Sequence, residues 1–352
     1  MKNVFICGYY GFKNMGDEAL LKSVATLFNE VDPSITVEAL SYNVKYTEEV
    51  LGVKGFSRKS LVKLVHKIWH VDCVVFGGGS LLQDVTSSKS LLYYLGIIFI
   101  AKVFRKPVAI IANGFGPVND ERNQRLVKWI LNKVDAISVR DEGALEKMRA
   151  IGIDREIVSS SDITFLMNGP IKPLSEKKKV MGISLRPWKF DDLFLKEVAR
   201  FADQMVEQGY EVRFYPMKQP DDEQVSQEVM NRMEQECRLI RGAKDPDEIL
   251  KHMQDCQIFV GMRLHSLIFA TNLGIPSVAI EYDPKIASFS NEAEIFNAGR
   301  FDTITAKKLI EGVELLENNL DEATEKILER RKKFKEKAML NKKLIEELID
   351  EY

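Results

Sequence analysis

NVFICGYYGFKNMGDEA, residues 3–19, begins with five residues of strand character, Asn3-Val4-Phe5-Ile6-Cys7. It passes through a loop with glycines at 8, 11 and 16 and continues as a helix whose first turn holds Asp17 and Glu18. A strand that runs through a glycine loop into a helix is how a parallel α/β unit starts, and in such sheets this strand end faces the ligand crevice.

Outward from there the same alternation recurs. Apolar runs at 35–40, 72–76, 107–112 and 135–139 read as strands, separated by segments of helical spacing such as 17–31 and 121–134. That order predicts a parallel sheet with helices on both faces. Around Asn168-Gly169-Pro170, and on to Lys179, periodicity lapses and turn formers and charges accumulate, as in a linker. The pattern then restarts with strands at Val180–Leu185, Glu211–Tyr215, Gln257–Val260 and Ser277–Ile280, and helices at 191–208, 222–236, 247–254 and 264–273. The expected fold is therefore α/β, with two Rossmann-like parallel-sheet domains facing a cleft, residues 1–170 and 171–305. A helical segment, 306–352, follows and can pack back on the first domain. The length of 352 residues, roughly twice a common domain of about 150, fits this division.

Composition narrows the classes. With 50 basic and 52 acidic residues the net charge is −2, so no global field draws the chain to nucleic acid or to a membrane, and any anion site must be local. Met1-Lys2 leads straight into the first strand without a secretory pattern, from which a cytoplasmic location is expected. Cys7, Cys73, Cys237 and Cys256 show neither disulfide framework nor metal-ligand spacing and read as small apolar fillers. His66, His70 and His252 lie on charged helical stretches without metal-ligand partners and read as surface residues. The apolar stretch Leu91–Ala101 falls well short of the roughly 20 residues of a spanning helix, which leaves a buried or a membrane-grazing helix. The basic run Arg330–Lys335 reads either as a solvated face or as a face that docks at an acidic membrane carrying a lipid-linked substrate.

Chemistry concentrates at the strand ends. The first loop lacks the dinucleotide G-x-G-x-x-G spacing, and no G-K-[ST] phosphate loop occurs in the chain. Asp17 and Glu18 would repel phosphate. They suit sugar hydroxyls, with Asp17 as a general base, or else simply cap the helix. A second cluster, Phe76-Gly77-Gly78-Gly79-Ser80-Leu81-Leu82-Gln83-Asp84, and a third, Asn113-Gly114-Phe115-Gly116-Pro117, also end strands. Gly11, Asn14, Gly78, Gly79 and Asn113 join the two acids as the expected sugar-binding set, because glycine lets the backbone approach a ligand. Arg140 and Arg186 each follow a strand, where a planar guanidinium suits phosphate or carboxylate. Arg140 can equally pair with Asp141 or Glu142.

The sharpest local pattern is Phe259-Val260-Gly261-Met262-Arg263-Leu264-His265-Ser266-Leu267-Ile268-Phe269-Ala270: strand, glycine turn, then Arg and His opening an apolar helix. Buried polar groups need partners. A helix start with Arg263 and His265 is an anion site in which the imidazole can also carry protons. Lys285, after the strand ending at Ile280, either adds a third positive group or is solvated.

GYYGFKNMGDEA, FGGGSLLQD, NGFGP, SVRD and GMRLHSLIFATNLGIP, in this order over about residues 3–285, resemble the polysaccharide pyruvyl transferase family and most nearly its CsaB-type cell-wall members. The resemblance implies a fold like the GT-B glycosyltransferases, with the donor held by the C-terminal half and the acceptor sugar by the N-terminal half. It implies phosphoenolpyruvate as co-substrate, no cofactor and no metal. Arg263 and His265 become the donor-site pair, with Ser266 beside them, Lys285 as a further base or anion ligand, and Arg186 and Arg140 as supporting cations. For CsaB-type members the acceptor is an N-acetylmannosamine unit of a secondary cell-wall polymer, pyruvylated as a 4,6-ketal to which surface-layer proteins dock. Two rivals stand beside this reading: a nucleotide-sugar glycosyltransferase or epimerase on the same fold, and a non-catalytic sugar-binding module for envelope assembly.

Overall fold

The computed structural model describes residues 1–352 except 86 and 189–191. It contains two units. Unit 1 comprises residues 1–12, 17–167 and 334–352, and unit 2 comprises 13–16 and 168–333.

In unit 1 the strands are β1 Asn3–Tyr10, β2 Thr36–Ser41, β3 Lys54–Ser57, β4 Cys73–Gly77, β5 Val108–Asn113, β6 Ala136–Val139 and β7 Val158–Ser159. They form one parallel sheet in the order β3-β2-β1-β4-β5-β6-β7. Helices α1 Met15–Val31, α2 Val44–Glu49, α3 Leu61–His70, α4 Ser88–Val103, α5 Glu121–Leu131 and α6 Glu142–Ala150 connect them. Every residue of the central strands β4 (CVVFG) and β5 (VAIIAN) is buried, as expected for strands covered on both faces. One core, with Phe5, Phe76, Leu95 and Val127, lies under α3, α4 and α5; another, with Ile6, Leu20, Phe28 and Val75, lies under α1.

Unit 2 repeats the plan with β8 Val180–Ser184, β9 Glu211–Phe214, β10 Arg238–Leu239, β11 Ile258–Gly261, β12 Ser277–Glu281 and β13 Phe296–Arg300. Its parallel sheet runs β10-β9-β8-β11-β12-β13. The helices are α7 Asp192–Glu207, α8 Asp221–Met230, α9 Pro246–Met253, α10 Leu264–Asn272, α11 Pro284–Ala293 and α12 Ala306–Glu317. The helix expected at 191–208 begins within the described residues at Asp192, its first position lying outside them.

The C-terminal run is two helices, not one. It breaks at Asn318-Asn319, after α12, and resumes as α13 Leu320–Glu351. Along α13, Ile327, Phe334, Ala338, Asn341, Ile345 and Leu348 are buried at spacings of three, four and seven, the stripe of an amphipathic helix. From Phe334 on, α13 belongs to unit 1: Phe334 stacks on Phe165 at 4.7 Å, and Asn341 accepts from Ser138 Oγ at 2.6 Å. Two of the five basic residues of the run Arg330–Lys335 are engaged within unit 2. Arg330 pairs with Glu294, and Arg331 Nε donates to Asn272 O at 2.7 Å.

Candidate functional site

In unit 2, β8, β11 and β12 are neighbours in register, with Ser184 opposite Gly261 and Gly261 opposite Ala279. Arg186, Arg263 and Lys285 thus leave the same edge of the sheet, beyond its C-terminal strand ends, which is where parallel sheets bind ligands.

Arg263 stands at the start of α10 and makes a bidentate pair with Asp222 through Nε and Nη2, each at 2.5 Å. Asp222 is fully buried and also accepts from the amides of Met217 and Lys218 at 3.0 and 2.9 Å. The described residues take up two of the five guanidinium N–H groups, so the outer edge can still receive an anion. Asp222 was missed from the sequence. Its signal was the Pro220-Asp221-Asp222 helix start after an apolar strand, a pattern that on its own indicates only a cap.

The same turn is gripped from the other end of the chain. Met15 N donates to Met217 O at 2.7 Å, Gln219 N donates to Lys13 O at 3.2 Å, and Asn14 bridges Lys218 in antiparallel sense. Next to it, a Cβ on Gly16 would lie 2.2 Å from His265 Nδ1. The imidazole therefore rests on the bare backbone of Gly16, where no larger residue fits. Ser266 is fully buried and gives its hydroxyl proton to Arg263 O at 2.7 Å, so it braces the helix start.

Arg186 and Lys285 share an aromatic setting. The Arg186 guanidinium carbon is 4.7 Å from the Trp188 ring centroid and 4.2 Å from that of Tyr282, and Lys285 Nζ is 5.4 Å from the Tyr282 ring. Arg186 Nε is buried with no hydrogen-bond partner among the described residues. Lys285 is partly exposed and lies 3.6 Å from Asp283, the cap of α11. Cation–π contact fixes both side chains without cancelling their charge.

In unit 1 the three glycine loops follow β1, β4 and β5, which are adjacent. The second and third are knit together: Gly114 N donates to Gly79 O, Gly116 N to Leu82 O and Asp84 N to Pro117 O. The Asp84 carboxylate in turn accepts from the amides of Asn119 and Asp120 and from Asn123 Nδ2. Gly78 and Gly79 have φ of 71° and 76°, which glycine accommodates freely. The Asp17 carboxylate lies over Gly79, 3.7 Å from where a side chain would begin.

Three expected sugar or donor ligands have other neighbours. Glu18 is fully buried and accepts from the amides of Gly11 and Phe12 at 3.0 and 3.1 Å, so it shapes the loop from behind. Asn113 is buried, and its Nδ2 donates to Phe76 O and Ile111 O. Arg140 belongs to unit 1, is buried, and lies 3.4 Å from Asp141 and 3.6 Å from Asp162 while donating to Ser80 Oγ. Glu18 and Arg140 hold their loops in place through these contacts, and Asn113 does so through Nδ2, while its buried Oδ1 has no hydrogen-bond partner among the described residues.

A feature absent from the sequence reading lies beyond β1, β2 and β3. Tyr9 and Phe12 stack at 4.0 Å with planes 4° apart, and Phe12 stacks on Tyr42 at 4.6 Å. Arg58 sits 5.6 Å from the Phe12 ring and Lys59 6.0 Å from that of Tyr42. Tyr9 and Tyr42 are the exposed members of this stack, which has cations beside it. Tyr9 and Phe12 come from β1 and the turn after it, Tyr42 from the turn after β2, and only the fold brings Tyr42 to the other two. Among the described residues no group of three or more His, Cys, Asp or Glu could hold a metal ion.

Two parallel-sheet units, with glycine turns and cations beyond their strand ends, define the GT-B-like α/β fold class. The chain belongs to the polysaccharide pyruvyl transferase family, which it matches over residues 14–284. Amylovoran biosynthesis protein AmsJ of Erwinia amylovora is 22% identical over 259 residues, covering 64% of this chain and 60% of that protein, so the match spans about three-fifths of the relative. Among solved structures, Anabaena HepE in complex with UDP and glucose is 12% identical with a TM-score of 0.65 over 100% of both chains. UDP-GlcNAc 2-epimerase from Neisseria meningitidis bound to UDP-GlcNAc is 14% identical, with a TM-score of 0.65 over 99% of this chain and 100% of that one. At these identities the likeness is one of fold.

Proposed function

We propose that this transferase moves pyruvate from phosphoenolpyruvate onto a cell-wall polysaccharide, forming a 4,6-ketal on N-acetylmannosamine as CsaB-type members do. The observation that carries the reading is the meeting, within unit 2, of the Asn14-Met15-Gly16 turn with the Arg263 and His265 helix start. Arg263 presents its outer edge, and Arg186 and Lys285 add two further cations at the same sheet edge, a set matched to a donor with a phosphate and a carboxylate.

In the reaction, C3 of the enol gains a proton and becomes the methyl group. Two sugar oxygens bond to C2, the C2–O bond to phosphate breaks, and phosphate leaves with the second hydroxyl proton. His265 or Lys285 delivers the proton to C3, and Asp17 takes one from the acceptor hydroxyl. Arg140, Asn113 and Glu18 act as positioning residues. The Tyr9, Phe12 and Tyr42 rings offer the acceptor sugar an apolar surface for its C–H face.

The test is phosphate release from phosphoenolpyruvate in the presence of a synthetic lipid-linked disaccharide containing N-acetylmannosamine. His265→Ala is expected to lose roughly 100-fold to 10,000-fold in rate, and near-normal turnover would remove His265 from the mechanism. Thermal stabilisation by a uridine-diphosphate sugar and not by phosphoenolpyruvate would favour a glycosyltransferase or epimerase instead.

A further inference from the structure

We propose that the outer face of α3, α4 and α5 is a docking surface for an anionic lipid bilayer. The anomaly that prompts this is α4. Its sequence, SKSLLYYLGIIFIAKV, carries no charge between Lys89 and Lys102 and has no polar side, a composition proper to a helix enclosed by apolar surroundings. One side of α4 is nevertheless open: Leu92 is 46% exposed, Phe99 44% and Val103 58%. Residues 89, 92, 96, 99 and 103 form one stripe at helical spacing, so these side chains share a face.

The neighbouring helices extend it. On α5, Trp129 is 50% exposed and its ring lies 5.7 Å from Phe99. On α3, Val62 and Trp69 are exposed, and the Trp69 ring meets Phe104, at the end of α4, at 4.8 Å. No described helix is long and apolar enough to cross a membrane, so contact with lipid here is that of a surface lying at the interface. Tryptophan is the residue favoured at that depth.

Charge decides which apolar partner fits. Lys63, Lys89, Arg122, Arg125 and Lys128 are exposed on the three helices, while Glu121 is their sole acid. Arg122 and Arg125 share a helical face with Trp129, and Lys133 lies over its ring at 5.1 Å. In a chain of net charge −2 this is a local concentration of one sign. A second copy docking through the same face would oppose like charges across a two-fold axis, whereas an anionic leaflet attracts each cation. Lys332 and Lys333 on α13 stand on a helix whose apolar stripe is already covered. Beside them only Met339 and Leu340, 43% and 41% exposed, present apolar side chains, and α13 exposes no aromatic ring of the kind that Phe99, Trp69 and Trp129 supply.

The proposal is independent of the reaction assigned above and can fail while that reading stands. Its test is sedimentation of the full-length protein with phosphatidylcholine vesicles, with and without phosphatidylglycerol, at low and high salt. Binding is expected only with phosphatidylglycerol, is weakened by salt, and is accompanied by a blue shift of tryptophan emission quenched by brominated lipid. Arg122→Gln, Arg125→Gln and Lys128→Gln together should lower partitioning about a hundredfold, since each cation contributes roughly fivefold at an anionic leaflet. Phe99→Ser with Trp129→Ser should weaken it at unchanged charge, while Lys332→Gln with Lys333→Gln should leave it intact. Circular dichroism checks that each variant is folded. Equal binding to both vesicle types, no binding to either, patch variants that bind like the parent, or patch variants that turn a dimer into a monomer would each overturn the proposal.

Discussion

At the residue scale, Asp222 and Arg263 form a pair in which one partner has no contact with water and the other little. Removing one member of such a pair leaves a buried charge, at a cost of about 3–5 kcal/mol. Asp222→Ala should therefore destabilise the protein by about that much in urea denaturation, and more than Asp222→Met combined with Arg263→Met. A smaller loss from the single change would mean that Arg263 finds another partner. Lys177 is the opposite case. Burial lowers its pKa to about 8, with Nζ donating to Gly274 O at 3.3 Å. In the folded state the ammonium loses its proton near pH 8, in the unfolded chain near 10.5, so this group makes stability rise with pH between those values. At pH 7 both states are charged and the folded one carries the burial penalty, on the order of 3 kcal/mol. Lys177→Met should raise the melting temperature at pH 7, with the gain shrinking above pH 8 and gone near pH 10.5. A gain independent of pH would indicate packing instead.

At the element scale, the strands that the sequence announced are those buried on both faces, where an apolar run is unavoidable, as in β4, β5 and β8. Those it did not announce are β3 (KGFS), β7 (VS), β10 (RL) and β13 (FNAGR), which are the four sheet edges. An edge strand is paired on one side only and keeps polar residues there, so its pattern is that of a loop. The helix start at Ala306 was legible, but the break at Asn318-Asn319 was not, because two asparagines do not by themselves stop a charged helix. Helix α13 hides a different signal. Asn341 looks like one more polar residue in a Lys/Glu-rich stretch, yet it is fully buried, with Oδ1 accepting from Ser138 and Ser160 hydroxyls and Nδ2 donating to Ala338 O. Asn341→Leu should cost about 1–3 kcal/mol by leaving the buried Ser138 hydroxyl without its acceptor, whereas Ser160 keeps Val139 O at 2.8 Å. Wild-type stability in denaturant titration would show that the Ser138 hydroxyl turns to another acceptor.

At the scale of the whole molecule, the two sheets are readable from alternation alone, because each strand and helix pair must bury its faces locally. The candidate site is readable only in part. Arg263 and His265 stand out as polar residues at the head of an apolar helix, whereas Asp222, Gly16 and the stacked rings depend on which turns the fold brings together. Lys13–Gly16 has a further consequence. Four residues near the beginning of the chain complete the fold of the second unit, supplying backbone partners for Met217 and Gln219 and the floor beneath His265. A cassette cut at residue 168 and transplanted into a relative would arrive without that insert and would borrow the recipient's version. Swaps between family members should therefore carry the N-terminal turn along with the C-terminal half, so that the imidazole keeps its own glycine.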